Sequence, residues 1–210
     1  MTKLYTIGHS NHKIDEFILL LRKYQINCVI DVRSTPYSRF SPQFSSNEIK
    51  SELNKNGIYY IFMGNELGAR RKDISLYTKE GYLDFEKTSK NPLFLKGLER
   101  VKEGIERGYT IALMCTEKDP LDCHRNILVA REFYKLGYDI HNILANGIVE
   151  TQKEIEKRLL DEYFPNRDQV TIFELISDRK DMEDLINEAY LLRNKEIGHI
   201  RDSEKEGENS

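Results

Sequence analysis

The feature that most restricts this chain is an alternation of short, nearly all-apolar runs with longer segments whose apolar residues recur at helical spacing. Leu4 to Ile7, Cys28 to Val32, Ile58 to Met63, Thr110 to Met114 and Asp139 to Leu144 read as strands. Cys28-Val-Ile-Asp-Val has the β-branched, unbroken apolar character of a strand covered on both faces. Between them, Phe17, Leu20, Leu21 and Tyr24 mark one helix, with Ser10 or Asn11 as its cap. Asn47 to Asn56, stopped by Gly57, marks a second. Pro92 opens a third through Leu95, Leu98, Val101 and Ile105, closed by Gly108. Ile127, Leu128, Ala130, Phe133 and Tyr134 mark a fourth, closed by Gly137, and Glu150 to Tyr163 is an amphipathic fifth. Strands alternating with helices of this length need crossover connections and hence a mainly parallel sheet. The expected architecture is a single three-layer α/β domain over residues 1–164, its mainly parallel sheet flanked by helices. Residues 165–200 read as a helical C-terminal appendage and 201–210 as a disordered charged tail. Arg33 to Ser46 and Gly64 to Asn91 fit neither period, and the latter is expected to be a loop with one short helix.

Composition excludes several classes. At 39% hydrophobic and 32% charged residues the chain can fill a core, so a disordered chain is ruled out. No run approaches the roughly 18 apolar residues of a membrane span. The N-terminus enters the first strand without a signal-peptide pattern. Three cysteines do not make a disulfide framework, so a reducing, cytoplasmic setting is expected. Residues 150–210 carry 10 basic and 17 acidic side chains, against 22 and 18 in the first 149, so the body is mildly basic and the end acidic. A basic body suits an anionic ligand, and equally an ordinary solvated surface.

In open α/β sheets the ligand crevice lies beyond the carboxyl ends of the strands. Those ends carry His9 and Ser10, then Asp31 and Arg33, then Gly64 to Arg71, then Cys115 and Glu117, and finally Asn146 and Gly147. The densest segment is Cys115-Thr-Glu-Lys-Asp-Pro-Leu-Asp-Cys-His-Arg. A thiol at a helix start beside cations is readily ionised, which favours Cys123 over Cys115 as a reactive group. Free helix N–H groups with Arg125 and His124 suggest an anion cradle. Both cysteines also fit a purely structural role, Cys115 closing an apolar strand and Asp122 capping the next helix. Asp31 and Arg33 share one face of a strand, either as a carboxylate orienting a ligand-binding arginine or as a structural ion pair at the sheet edge. Gly8 beside His9 and Ser10 would let a ligand approach the backbone closely.

Catalytic candidates are therefore Cys115, Cys123, His9 and Glu117; substrate-binding candidates are Ser10, Asp31, Arg33, His124 and Arg125. Cys115, Cys123, His124 and His9 are chemically able to hold zinc, but C-x7-C-H is not a finger spacing, so neither metal nor cofactor is assigned. The leading expectation is an enzyme, a hydrolase or transferase, acting on a phosphate-bearing nucleotide or nucleic acid. A non-catalytic nucleic-acid-binding module, with Tyr37, Phe40, Phe44 and Tyr77 stacking on bases, is the main alternative. Partners on either reading are an anionic small molecule or nucleic acid, with no membrane; oligomeric state is left open.

Thr6-Ile-Gly-His-Ser, Asp31-Val-Arg, Gly57-Ile-Tyr-Tyr, Leu67-Gly and Cys115-x-Glu-x-x-Pro-x-x-Cys-His-Arg resemble, in order, the family called domain of unknown function 488, over residues 3–147. That resemblance implies a single α/β domain and brings no activity. A weaker resemblance, carried by Val29 to Arg33, Ile111 to Cys115 and Leu136 to Ile148, is to rhodanese-like domains and phosphatases of that fold. It implies a cysteine nucleophile for sulfur or phosphoryl transfer. The loop after Cys115 departs from that pattern in its length, in Pro120, and in a second cysteine and a histidine.

Overall fold

The computed structural model describes residues 2–37, 39–167 and 181–201. Six strands form one sheet: β1 (Lys3–Gly8), β2 (Cys28–Asp31), β3 (Tyr59–Phe62), β4 (Ile111–Cys115), β5 (Asp139–Ile143) and β6 (Val149–Thr151). Their spatial order is β3-β2-β4-β1-β5-β6. All neighbours are parallel except β6, which pairs antiparallel with β5. The fold class is thus the expected mainly parallel α/β sheet. β6 replaces the first turn of the helix expected from Glu150.

Side-chain alternation divides the core in two. Ile111, Leu113 and Cys115 of β4 face one side with Cys28, Ile30 and Val32. Ala112 and Met114 face the other with Val29, Tyr5 and Ile7. The second face is covered by α1 (Ile14–Lys23), through Phe17, Ile18 and Leu21, and by α2 (Ser46–Lys55), through Ile49 and Leu53. α1 is not capped by Ser10 or Asn11: Lys13 occupies the cap position, and the Glu16 carboxylate accepts from its N–H at 3.3 Å. Ser10 instead takes a left-handed conformation, φ 45°, in the turn leaving β1.

Between β3 and β4 the chain forms α3 (Gly64–Leu67), a 3-10 turn at Ile74–Leu76, α4 (Phe85–Ser89) and α5 (Pro92–Glu106). The expected single short helix is therefore three short turns. Two are capped by aspartates, Asp73 on Ser75 N–H and Asp84 on Lys87 N–H, a signal of side chain-to-backbone bonding that hydrophobic periodicity does not contain. α5 begins as expected, with Asn91 capping and Pro92 at its first position.

After β4 and its loop, a π-helical segment, Arg125–Ala130, runs directly into α6 (Arg131–Lys135). α7 (Gln152–Tyr163) and α8 (Met182–Ile197) complete the first face. The expected C-terminal helix is present as α8, and it is docked: Ala189 and Tyr190 are buried in the core, and Asn194 bonds both Leu83 O and Phe85 N–H across the α4 entry. Residues 168–180 and the charged tail from 202 onward lie outside the described residues. Among the described residues, no helix is long and apolar enough to cross a membrane.

Candidate functional site

The loop from Cys115 to His124 is built around a buried arginine. β1 and β4 extend their pairing past their ends, His9 N–H donating to Cys115 O at 2.9 Å and Ser10 N–H to Thr116 O at 2.8 Å. The chain then crosses above Gly8, where a Cβ would stand 1.9 Å from the Glu117 carbonyl oxygen. Gly8 is thus required by close backbone approach, but the group approaching is Glu117 of this chain and not a ligand. Arg125, fully buried, donates from Nη1 to that same carbonyl at 2.7 Å and from Nη2 toward Lys118 O at 3.5 Å. The 3-10 turn Pro120–Asp122 follows, capped by Asp119, which Arg158 holds at 2.5 Å; Asp122 lies inside this turn, and the next helical segment has His124, not Asp122, at its cap position. A charged peg inside a short loop fixes where its thiols point.

Cys115, Cys123 and His124 come together on the β4 side of this loop. His124 Nδ1 lies 3.8 Å from Cys115 Sγ and 4.0 Å from Cys123 Sγ. His124 Nε2 is 3.0 Å from Val32 O, a group that only accepts, so Nε2 carries a hydrogen and Nδ1 faces the thiols; burial opposes charging of the ring, and the Cys123 sulfur beside it outweighs burial and raises the His124 pKa. Cys123 Sγ is 2.9 Å from Glu117 Oε2 and accepts the Arg125 backbone N–H at 3.4 Å. Burial opposes ionisation of both thiols, but they divide the effect. Cys115 is pushed well up, by burial and by donating to Cys123. Cys123 is held well down despite burial, by Cys115, Arg125 and His124. The neighbouring Glu117 carboxyl is raised, by burial first and then by the Cys123 thiolate.

His9, Asp31, Arg33 and Tyr60 form a second group on the opposite face. Arg33 makes a bidentate pair with Asp31, Nε to Oδ1 at 2.9 Å and Nη2 to Oδ2 at 2.6 Å, and also donates to Phe44 O. Tyr60 donates to Asp31 Oδ2 at 2.7 Å. Arg33 Nη1 lies 3.0 Å from His9 Nε2, and the His9 ring stacks on Phe44 with centroids 4.3 Å apart. Burial and the Arg33 charge lower the His9 pKa to about 4, so the ring is neutral and accepts from Arg33. The Asp31–Arg33 pair sits at the end of β2, an interior strand, rather than on a sheet edge.

A cleft of about 260 Å³ opens over the strand ends, walled by Arg33, Cys115, Glu117 and His124 together with Arg70 and His199. It shares Ser34, Thr35 and Arg70 with a second cleft of about 720 Å³, lined by Gly64, Asn65, Arg71 and Lys72. Of the residues expected from the sequence, Arg33, Cys115, Glu117 and His124 thus wall the first cleft. Asp31, His9, Cys123 and Arg125 are buried behind it, and Ser10 lines neither cleft. Cys123, favoured in the sequence for ready ionisation, has its pKa lowered but lies sealed behind the cleft, whereas Cys115, with its pKa raised, is on the cleft wall. Phe44 and Tyr77, expected to stack on bases, are buried in the core, whereas Tyr37 and Phe40 are exposed. His199, which has no companion motif in the sequence, comes from beyond α8, a placement no local pattern encodes. A third cavity, about 630 Å³ between α4, α8 and the π-helical segment, contains neither thiol nor histidine, and its Lys90 and Lys135 are paired with Glu86 and Glu132.

A family model described as a domain of unknown function, DUF488, matches residues 13–131. The match takes in the Asp31-Val-Arg and Cys115 to Arg125 motifs and leaves out the first strand with Gly8 and His9. No curated protein and no solved structure matches the chain.

Proposed function

The chain belongs to the DUF488 family, and from its strand-end clefts we propose that it is an enzyme acting on a phosphate-bearing anionic substrate, a nucleotide or nucleic acid. The observation that carries this reading is the shared wall of the two clefts. Ser34, Thr35 and Arg70 join the space over Cys115, Glu117 and His124 to the wider one holding Arg71 and Lys72. A polyanion lying in the wide cleft would place one of its groups at the mouth of the narrow one.

The cations there differ in what they are free to do. Arg71 is committed to the carbonyls of Asn65 and Glu66 and is half-buried. Arg70 and Lys72 are exposed and make no ion pair among the described residues, so they are the phosphate contacts. Arg33, saturated by Asp31, Phe44 and His9, supplies positive potential at the narrow end. Glu117, its carboxyl pKa raised above the ordinary value by burial, is placed to exchange a proton with a bound group. Nucleophilic catalysis by a free thiol is disfavoured, since neither cysteine is both ionised and accessible. Exposed Tyr37 and Phe40, which follow Arg33 in the chain, favour nucleic acid among phosphate-bearing substrates because bases stack on such rings. A cytoplasmic location fits the three free thiols.

The test combines binding and turnover on oligonucleotides and free nucleotides. Arg70→Ala with Lys72→Ala should weaken binding and flatten its salt dependence. Glu117→Gln should leave binding intact and cut turnover by about 100-fold or more. Absence of binding at low salt would refute the substrate class. Binding without turnover by the native protein would refute the enzyme and leave a binding module.

A further inference from the structure

We propose that Cys115, Cys123 and His124 bind one zinc-class divalent cation whose remaining coordination position opens into the narrow cleft. The inference rests on the reading of that cleft as a reaction site, and it accounts for a cluster that neither a thiol nucleophile nor a packed core explains.

The geometry comes first. One donor atom from each residue, the two Sγ and the imidazole nitrogen, all lie within 4.8 Å of one another. A tetrahedral zinc with ordinary Zn–S and Zn–N bond lengths separates sulfur from nitrogen by about 3.6 Å and sulfur from sulfur by about 3.8 Å. The observed sulfur–nitrogen separations are 3.8 and 4.0 Å, within a few tenths of an ångström of those values, and the two sulfurs lie within 4.8 Å of each other. The backbone makes this possible with two adjacent ligands. Cys123 is extended, φ −136° and ψ 131°, whereas His124 is already helical, φ −57° and ψ −24°. Side chains of neighbours in a continuous strand would point to opposite faces; the change of conformation between them lets both converge on Cys115.

The surroundings are those that metal ligands need. Histidine ligands characteristically donate their other ring nitrogen to a carbonyl or carboxylate, which fixes the tautomer. Val32 O does this for His124 and leaves Nδ1 facing both sulfurs. The Arg125 backbone N–H on Cys123 Sγ is the usual support of a metal-bound thiolate. Two thiolates and a dication are neutral together, a state that low-dielectric burial tolerates better than a lone thiolate. Soft sulfur with imidazole selects zinc over magnesium or calcium.

The position of the site separates a reactive centre from a structural one. Among the described residues the cluster has only three protein donors, whereas structural zinc sites have four. Cys115 and His124 wall the cleft and Cys123 lies behind them, so the unfilled coordination position points where a substrate enters. Glu117 stands on the same wall, 2.9 Å from Cys123 Sγ. A cation here would polarise a phosphoryl oxygen or activate a water, with Glu117 beside it to take the proton.

The test is made on the full-length protein without substrate. Purified protein should contain close to one equivalent of zinc, and the metal-free protein should take up cobalt with the ligand-field bands of a tetrahedral site and a thiolate-to-cobalt charge-transfer band. Cys115→Ser, Cys123→Ser and His124→Gln should each reduce retained metal at least about tenfold. Cys28→Ala, which removes the thiol buried in β2, should leave it unchanged. Folded native protein that takes up neither metal, or a cobalt spectrum without thiolate charge transfer, overturns the proposal whatever the variants do. Turnover that persists in chelator-treated, metal-free protein also overturns it while leaving the proposed substrate class standing. Stoichiometric zinc in a protein that binds no phosphate-bearing ligand supports the metal site and sinks the proposed function instead.

Discussion

At the carboxyl ends of the strands the two faces of the sheet carry opposite kinds of polar chemistry. On the α1/α2 face, Tyr60, Asp31, Arg33 and His9 form a closed circuit in which every strong donor meets an acceptor, with Phe44 packed beneath the imidazole. On the other face, two sulfurs, the imidazole Nδ1 and a carboxyl converge, four groups that can each accept. Burial costs little in the first arrangement because charges are paired. In the second, burial holds the Cys115 thiol up, while Cys115, Arg125 and His124 hold Cys123 down against it. A saturated network behaves as scaffold, and an acceptor-rich one is where a cation or a transferred proton completes the structure.

Three substitutions bear on that contrast. The largest effect is expected from Asp31→Ala, which strands the buried Arg33 guanidinium and the Tyr60 hydroxyl; removing one partner of such a pair costs about 3–5 kcal/mol. Urea denaturation measures it, and a loss below about 1 kcal/mol would show that Arg33 finds water instead. The next effect is pH-dependent. His9 has a folded pKa near 4 against an ordinary value of 6.5, so the unfolded chain binds the proton more readily. The stabilising contribution is complete above pH 6.5 and is lost as pH falls toward 4, to a total of about 3 kcal/mol. His9→Asn should flatten the decline of stability across that window, and an unaltered slope would assign the titration to another group. The smallest effect has the opposite sign. Glu117 is raised by burial, so its ionisation at neutral pH works against the fold. Glu117→Gln should therefore raise the unfolding free energy, by up to about 1 kcal/mol, while it removes function. A marked loss of stability would mean that the acceptor-rich face is scaffold too.

Much of this was legible in the amino-acid sequence because it rests on period and position. The parallel sheet followed from apolar runs alternating with helical spacing. The placing of His9, Asp31 and Cys115 at the ends of neighbouring strands followed from the same pattern, now visible in the Gly8–Cys115 and Asp31–Met114 register, although they divide between the two faces of the sheet. What was hidden depends on which way a side chain turns. Arg125 read as an anion ligand beside a helix start, yet its guanidinium holds the loop's own carbonyls. Cys123 read as the reactive thiol because it stands at a helix start, yet it is sealed behind the cleft wall. The buried ladder of Thr6, Asn142, Asn126, Gln152 and Tyr190, which ties β1, β5, the π-helical segment, α7 and α8 together, has no sequence signature. Its members are separated by up to 184 positions, and each taken alone is an ordinary polar residue.

The π-helical segment Arg125–Ala130 has a consequence for how this gene can vary. All six of its residues are buried, among them Arg125, Asn126 and Ile127 in succession, so no side of the helix faces solvent there. A wide turn of this kind holds an extra residue relative to an α-helix. Loss of a single codon between Cys123 and Ala130 would narrow it to an α-helical turn and re-aim the side chains within the segment, each residue step being about 100°. Arg125 would then be drawn off the Glu117 carbonyl, or Asn126 off Gln152, and no neighbouring position is free to absorb the slip. In an alignment of relatives, insertions and deletions should fall in Gly64–Asn91 and after Tyr163, and the stretch from Cys115 to Ala130 should keep a fixed length.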